Sequence, residues 1–266
     1  MDFRRLLLVV VMALPIGFSA TSATAEEGWE PLFNGENLDG WFTILKKHGK
    51  KNDPNGVIQA VDGMIHVYKD SPDRSDAAYG YFCTEDEYSD YHLRFQYKWG
   101  IKKFGPRKDK IRDAGLLYHC VGDEVVWPIS VECQVQEGDT GDLLTVRTRT
   151  TTTIDPEKSR KEDRDCFYEA EGETYTIGLP GRISRVRKDR MVEVDDWNTV
   201  EVIIQGDSAV HIVNGEVVNR CERLEQPHPD DRATWIPLTK GKISFQAEGA
   251  ELYYRNIEIK RLAESG

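Results

Sequence analysis

Apolar and polar positions alternate along most of the chain. In YHLRFQYKW, residues 91–99, the odd positions are apolar and the even positions are polar, which predicts a strand with one buried face in an antiparallel sheet. Similar patterns flank Gly-Asp at 206–207 and Asn-Gly at 214–215, which are tight-turn signals. No segment carries the sustained 3.6-residue repeat of an amphipathic helix. The pattern therefore predicts an all-β fold, a β-sandwich of two antiparallel sheets.

Two polar stretches interrupt this pattern. Residues 101–113, IKKFGPRKDKIRD, are predicted to be a basic loop between strands. Residues 149–174 are rich in threonine and charge with little to bury, which indicates a long excursion from the sandwich, either a rim of a ligand site or a solvated loop. The chain shows no internal repeat and no domain-linking tract. Residues 26–266 are therefore predicted to form a single domain.

The N-terminus has the pattern of an export signal. Two arginines precede the apolar run LLLVVVMALPIGF, and a small-residue stretch with an A-x-A arrangement follows. The run is too short for a comfortable membrane span, and a proline interrupts it. Residues 1–25 are predicted to be a cleaved signal peptide. The mature protein is then expected in the periplasm or outside the cell.

Charge and cysteine content narrow the classes of partner. The formal net charge of −11 disfavours nucleic acid and anionic membranes as partners, and no later segment is apolar enough to enter a bilayer. The five cysteines include no C-x-x-C pair, so a structural zinc site is not expected. They are also too sparse for a disulfide scaffold, although a single bridge stays open.

The segment SVECQVQE, residues 130–137, has an unusual polar face. Glu132, Gln134 and Gln136 share one side of the predicted strand, and their spacing of about 7 Å suits successive hydroxyls of a sugar. Glu137 has the opposite parity, but a β-bulge at residues 135–136 would bring it to the same face as Glu132. The alternative is a solvated outer face with no ligand.

Other residues are candidates for the same site. His119 in AGLLYHC is a base, a metal ligand or an interior imidazole, and Tyr118 beside it is a candidate substrate contact. Trp127, next to a proline at a segment end, either stacks on a sugar ring or fills the edge of the core. Gln246 and Glu248 in SFQAEG either complete the pocket or are exposed strand positions.

A metal ion is an open question at this level. Asp139 and Asp142 in EGDTGD either bind calcium or make Asx turns. Glu137 and Asp139 are the two candidate ligands for a divalent metal ion. No cofactor is implied beyond that ion.

Four motifs together resemble a known family. They are EPLFNGENLDGW (30–41), DAGLLYHC with WPISVECQVQEGDTGD (113–142), DDWNTVEVIIQGDSAVHIVNGEVV (195–218) and GKISFQAEGAELYYRNIEIK (241–260). In this order the chain resembles the 3-keto-disaccharide hydrolase domain family over nearly all of 29–262, apart from the region 149–190. The resemblance implies a concanavalin-like jelly-roll sandwich in a secreted bacterial protein. It also implies cleavage of glycosides whose glucose ring carries a ketone at C3.

A ketone at C3 makes elimination a feasible route. It acidifies the C2 proton and leaves the glycosidic oxygen β to the carbonyl, so removing that proton expels the aglycone, and later addition of water gives net hydrolysis. This route needs a base, an oxyanion stabiliser and a proton donor. We predict Glu132 or His119 as the base and Gln134 and Gln136 as hydroxyl-binding groups. Glu137 is the predicted acid or metal ligand, and a divalent cation is one candidate stabiliser.

Direct displacement is less well matched by the same residues. The Glu-x-Gln-x-x-Glu pattern departs from the laminarinase-type sandwiches, which place an aspartate between two glutamates. An amide cannot tune the pKa of neighbouring carboxyl groups as a carboxylate does.

Two other functions are compatible with the sequence. A non-catalytic, lectin-like carbohydrate-binding module would use the same polar face, because fold alone does not determine activity. An adhesion or matrix domain would show a large exposed apolar patch or tandem copies, and neither is visible. A carbohydrate is the expected ligand both of a glycoside-cleaving enzyme and of a carbohydrate-binding module.

Overall fold

The computed structural model describes residues 27–159, 166–181 and 184–264. The signal peptide predicted for residues 1–25 lies outside the described residues. Within them, the only helix is the single 3₁₀ turn Gly105–Arg107, and no helix is long and apolar enough to cross a membrane.

Strands dominate the described residues. In chain order, β1 to β19 are Trp29–Pro31, Trp41–Leu45, Gly49–Lys50, Ile58–Val61, Met64–Val67, Gly80–Thr84, Tyr91–Lys103, Asp113–Val121, Ile129–Gln136, Leu143–Val146, Arg149–Ile154, Glu173–Gly178, Arg185–Val186, Asn198–Gln205, Ser208–Val213, Glu216–Pro227, Trp235–Pro237, Lys242–Ala247 and Ala250–Arg261.

The strands form two antiparallel sheets in a jelly-roll sandwich. The larger sheet has the order β12-β11-β16-β15-β14-β7-β19-β5-β4, with β1 beside β19 and β17 beside β16. The smaller sheet has the order β13-β10-β9-β8-β18-β6-β2-β3. Many spatial neighbours are far apart in sequence, as with β7 between β14 and β19. The all-β sandwich predicted from the alternating pattern is confirmed.

Apolar positions of both sheets meet in one core. The odd residues of β7, including Leu93, Phe95 and Tyr97, are fully buried, as their alternation predicts. Phe95 of the larger sheet packs edge-on against Phe245 of the smaller sheet, with ring centroids 4.9 Å apart. Burying one such side chain contributes roughly 1.5–3 kcal/mol. These contacts hold the two sheets together.

The two faces of β9 have different surroundings. Val131, Cys133 and Val135 point into the core, and Glu132 and Gln134 lie on the opposite face, as the period of two predicts. That opposite face is not solvated, because Glu132 is only 6% exposed and Gln134 only 5%. The smaller sheet thus carries buried polar groups on its outer side.

The polar stretch 149–174 is partly regular, so the prediction of a loop excursion is wrong for its ends. Residues 149–154 form β11, which pairs with β12 and with β16 and extends the larger sheet. Threonine is β-branched and suits a pleated strand, and this outweighs the polarity of the segment. Residues 160–165 lie outside the described part.

All five cysteines are buried, and no disulfide bond joins any two of them. The single disulfide left open by the sequence is not formed, and Cys133 fills the core beneath β9, as its parity predicts.

Candidate active site

The outer face of the smaller sheet carries a pocket of about 230 Å³. Its lining includes five residues that the sequence singled out, Glu132, Gln134, Trp127, Gln246 and Glu248. We call it the Glu132 pocket. The structure therefore brings together side chains from two distant segments of the chain, 127–134 and 246–248.

Strand register explains why these groups meet. Glu132 in β9 lies between Leu117 of β8 and Leu144 of β10. On the far side of β8, Gln246 of β18 donates a hydrogen bond from Nε2 to Glu132 Oε1 at 3.2 Å. The contact crosses β8 because the residue there is Gly115. A β-carbon at Gly115 would lie 2.2 Å from Glu132 Oε1.

An arginine from the basic loop completes the pocket. The 3₁₀ turn after β7 brings Arg107 back over the start of β8. Its Nη2 contacts Asp113 Oδ2 and lies 2.5 Å from Glu248 Oε1. Gln134 donates from Nε2 to Asp113 Oδ1 at 3.3 Å. Arg107 therefore holds two of the three acids of the pocket.

Burial makes two of these carboxyl groups weak acids. Desolvation, with added repulsion from Glu248 and Asp113, raises the pKa of Glu132 to about 8. Desolvation and Glu248 also raise the pKa of Asp113 well above its usual range, and Arg107 offsets only part of that effect. Glu132 is therefore protonated in most free molecules at neutral pH. Its conjugate base is correspondingly strong.

Two amide oxygens in the pocket have no hydrogen-bond partner among the described residues. They are Gln134 Oε1 and Gln246 Oε1, on side chains that are both at least 95% buried. A buried acceptor without a donor is costly, by roughly 1–3 kcal/mol, unless a ligand supplies the donor. Sugar hydroxyl groups supply such donors.

His119 and Tyr118 do not reach this pocket. A bulge at residues 118–121 interrupts the pairing of β8 with β9, and His119 has a φ of +51°. The bulge turns His119 into the interior, where its ring lies 6.2 Å from that of Tyr91. Tyr118 still pairs with Val131 in regular register and faces the core with it. The Tyr118 hydroxyl lies 3.0 Å from His211 Nε2. The structure does not support a catalytic His119, because the bulge breaks the strict alternation there. It does not support a substrate contact at Tyr118 either, because that residue faces the core in regular register.

The interior position also changes the chemistry of His119. Burial lowers the pKa of His119 to about 4, so the ring is neutral at physiological pH. Neither ring nitrogen has a hydrogen-bond partner in the described part of the chain.

Glu137 lies apart from Glu132. The expected bulge at residues 135–136 is absent, because Gln136, Val135 and Gln134 pair in regular register with β8. Glu137 instead forms a two-pronged ion pair with Arg112, with Nη2–Oε1 at 2.9 Å and Nε–Oε2 at 3.1 Å. It lines a different pocket, of about 550 Å³. Its predicted pairing with Glu132 is wrong.

Gln136 shares the face of Gln134 but lies beyond the lining of the Glu132 pocket. It is 8% exposed, stands opposite Asp113 and helps to lower the pKa of that carboxyl through a side-chain hydrogen bond. Gln136 is therefore placed to hold the Asp113 side chain by a hydrogen bond rather than to contact a sugar directly.

The candidate metal ligands do not assemble into a metal site. Asp139 lies 2.9 Å from Arg185 Nη2, and Glu137 is held by Arg112. Within the described residues, no group of three or more His, Cys, Asp or Glu side chains is placed to hold a metal ion. These two residues do not fit a divalent cation. The Glu132 pocket itself is lined by one cationic side chain among the described residues, Arg107.

Sequence reasoning missed three residues of the site. Arg107 and Asp113 fall in the stretch 101–113, whose pattern predicts only a basic loop. Gly115 was passed over, although a glycine inside a strand pattern is a signal for close approach of another group. That signal was present in DAGLLYHC.

A jelly-roll sandwich with a pocket of carboxyl groups, amides and a tryptophan defines a carbohydrate-active class of domain. Within that class, the chain belongs to the 3-keto-alpha-glucoside-1,2-lyase-like domain family, whose model matches residues 28–260. The family resemblance drawn from the sequence motifs is confirmed. No curated protein sequence matches the chain.

Solved structures show the same fold at low sequence identity. One predicted glycosyl hydrolase from Parabacteroides distasonis is 21% identical, with 89% of this chain and 95% of that chain covered and a TM-score of 0.51. A second from the same organism is 20% identical, with 88% and 99% covered and a TM-score of 0.48. The first of these supports the jelly-roll assignment of the fold.

Proposed function

We propose that the protein cleaves 3-keto-glycosides by removing the C2 proton and eliminating the aglycone, with water added afterwards. The observation that carries this proposal is Glu132, a buried carboxyl group with a strongly raised pKa, facing a pocket with unpartnered amide oxygens. Family membership supports a glycoside as the substrate. The 3-keto group is what makes a single base sufficient.

Glu132 is the proposed base. Its carboxylate takes the C2 proton, and the electrons of that C–H bond form the enediolate with the C3 oxygen. When the C3 carbonyl re-forms, the C1–C2 double bond appears and the bond from C1 to the glycosidic oxygen breaks. A base whose pKa lies near the working pH is efficient in such a step, and one group of this kind contributes about 10²–10⁴-fold.

Arg107 is the proposed stabiliser of the enediolate oxygen. Its guanidinium is always charged and is oriented by Asp113 and Glu248, so it needs no reorganisation as charge develops at the C3 oxygen. Asp113, whose raised pKa keeps a proton available, is the proposed donor to the departing glycosidic oxygen. Asp113 thus takes the role of proton donor that the sequence pattern predicts for Glu137.

Binding of the sugar ring falls to the remaining residues. The free oxygens of Gln134 and Gln246 accept hydrogen bonds from ring hydroxyls, and Trp127 offers an aromatic surface at the pocket edge.

Elimination yields a 2-hydroxy-3-keto-glycal. Water then adds its hydroxyl to C1 and a proton to C2, which returns the free 3-keto sugar.

The test is turnover of a 3-keto disaccharide by wild type, Glu132→Gln and the matched control Glu137→Gln. We expect a transient 2-hydroxy-3-keto-glycal and solvent deuterium at C2 with wild type and the control. The Glu132→Gln variant should lose about 10³-fold in kcat/KM. Cleavage by Glu132→Gln at the wild-type rate would exclude Glu132 as the base. Binding of glycans without any product would favour a carbohydrate-binding module instead.

We also propose export to the periplasm or beyond the cell, supported by the signal pattern of residues 1–25. N-terminal sequencing of the protein made in its host should begin at Glu26. An intact residue 1 would overturn this.

A further inference from the structure

A second pocket, of about 350 Å³, is lined by Tyr79, whose side chain also neighbours Arg107, Asp113 and Glu248 of the Glu132 pocket. The Tyr79 hydroxyl lies against the backbone on both sides, since a β-carbon at Gly249 would be 2.7 Å from it and one at Gly105 would be 3.4 Å away. Gly249 directly follows Glu248, and Gly105 is two residues before Arg107. The side chain of Tyr79 therefore stands between the two pockets. It is only half-buried, so a substrate bound beside Arg107 can extend over its exposed part.

The second pocket is basic in an acidic protein. Lys46, Lys47 and His48, all from the turn between β2 and β3, line it, and Asp76 is the one carboxylate in its lining. We call it the basic pocket. The chain as a whole has a formal net charge of −11, so this local excess of positive charge would favour an anionic ligand at this place over the rest of the surface.

The two lysines of the basic pocket are not neutralised by the protein. Within the described residues neither Lys46 nor Lys47 forms an ion pair with a carboxylate. The next two lysines along the chain do, since Lys50 lies 2.7 Å from Glu124 and Lys51 lies 2.6 Å from Glu85. The charge of Lys46 and Lys47 is therefore available to a ligand.

From this geometry, and resting on the proposed function, we infer that the leaving group of the substrate occupies the basic pocket and carries an anionic group, a carboxylate or a phosphate ester. The elimination occurs at the sugar ring beside Glu132, and the aglycone passes Tyr79 so that its anion contacts Lys46 and Lys47. A volume of about 350 Å³ is within the range of small-molecule sites. The basic pocket thus selects the aglycone and takes no part in the proton transfer.

Three matched substrates test this inference. They are the 3-keto-α-glucosides of 4-(hydroxymethyl)phenol, of its phosphate ester and of 4-carboxyphenol. All three leaving groups contain one benzene ring, but the first is neutral and the other two are anionic. We expect KM for at least one anionic substrate to be about tenfold lower than for the neutral one, with similar kcat. The preference should shrink when salt is raised from 0.05 M to 0.5 M, because the lysines are exposed. Comparing the two anionic arms distinguishes carboxylate from phosphate.

The double variant Lys46→Ala/Lys47→Ala should abolish the preference by raising KM for the anionic substrates to that for the neutral one. The control Lys158→Ala/Lys240→Ala removes the same charge from exposed lysines that line neither pocket, and it should keep the preference. Equal KM values for all three substrates, or a preference that survives in the Lys46/Lys47 variant, would overturn the inference.

Calorimetric binding to Glu132→Gln separates this inference from the proposed function. If wild type cleaves none of the substrates but the anionic ones still bind about tenfold more tightly, the elimination mechanism fails and the anion subsite stands. If all three are cleaved without discrimination, the mechanism stands and the subsite fails. Absence of binding by all three overturns the subsite as well.

Discussion

Gly115→Ala is the sharpest test of how the Glu132 pocket is built. The added methyl group would lie 2.2 Å from Glu132 Oε1 and 2.7 Å from Gln246 Oε1, and contacts this short do not occur in folded proteins. Both side chains are nearly fully buried, so neither can move into solvent without leaving the pocket. The variant must therefore displace the carboxyl group, the amide or both.

The expected effect on stability is small, whereas the effect on activity is large. Overpacking of a buried site costs about 1–3 kcal/mol. Alanine in a strand recovers about 0.5–1 kcal/mol relative to glycine, and Gly115 does not have a left-handed φ that would strain alanine. The net loss of unfolding free energy is then about 0–2.5 kcal/mol. A shift of about 1 Å in the base, however, is expected to lower the rate about 10²-fold.

The assay combines chemical unfolding with kcat/KM on a 3-keto disaccharide, in a double-mutant cycle with Glu132→Asp. Aspartate is one methylene shorter and relieves the clash with the new methyl group. If the clash is the cause, Glu132→Asp should cost distinctly less activity in the Gly115→Ala background than in wild type. Wild-type activity in Gly115→Ala, or strict additivity of the two changes, would refute this account of the pocket.

Three further predictions follow from the charges and the lining of the pocket. The pKa of Glu132 is raised to about 8 in the folded protein, so between about pH 4.5 and 8 the folded state holds a proton that the unfolded state has lost, and the free energy of unfolding should fall as pH rises through this range. Glu132→Gln should therefore raise Tm more at pH 8.5 than at pH 5, and equal shifts would contradict the raised pKa. Arg107→Met leaves Asp113 and Glu248 without their cation and should lower kcat about 10²–10³-fold, measured at saturating substrate, with little effect if Arg107 only binds. Trp127→Ala should raise KM about tenfold with kcat nearly unchanged in steady-state assays, and an unchanged KM would remove the tryptophan from the sugar site.

The arrangement of charges explains why the pocket has three acids and one arginine. Arg107 lies against Asp113 and Glu248 and neutralises only part of the negative charge that these two acids present to Glu132. Like charge and burial both favour a proton on Glu132. A substrate that brings its own acidic C–H to this carboxyl group therefore meets a base stronger than an exposed glutamate.

Part of the site could be predicted from local pattern alone. Alternation in SVECQVQE correctly separated the core side chains from Glu132 and Gln134, because the side-chain period of a regular strand is two. The same rule was wrong at His119, because the bulge in β8 adds a residue and turns the imidazole into the interior. It was wrong at Glu137 for the opposite reason, since the expected bulge is absent.

The amino-acid sequence by itself determined the all-β class, the sandwich, the family and the polar face of β9. These follow from short-range periodicity and from motifs of contiguous residues. Only the tertiary structure decided which distant groups face Glu132. Arg107, Asp113 and Gln246 reach it through strand order and register, and Gly115 lets Gln246 contact it across an intervening strand. Such meetings depend on pairing between strands far apart in the chain, and no local pattern encodes that pairing.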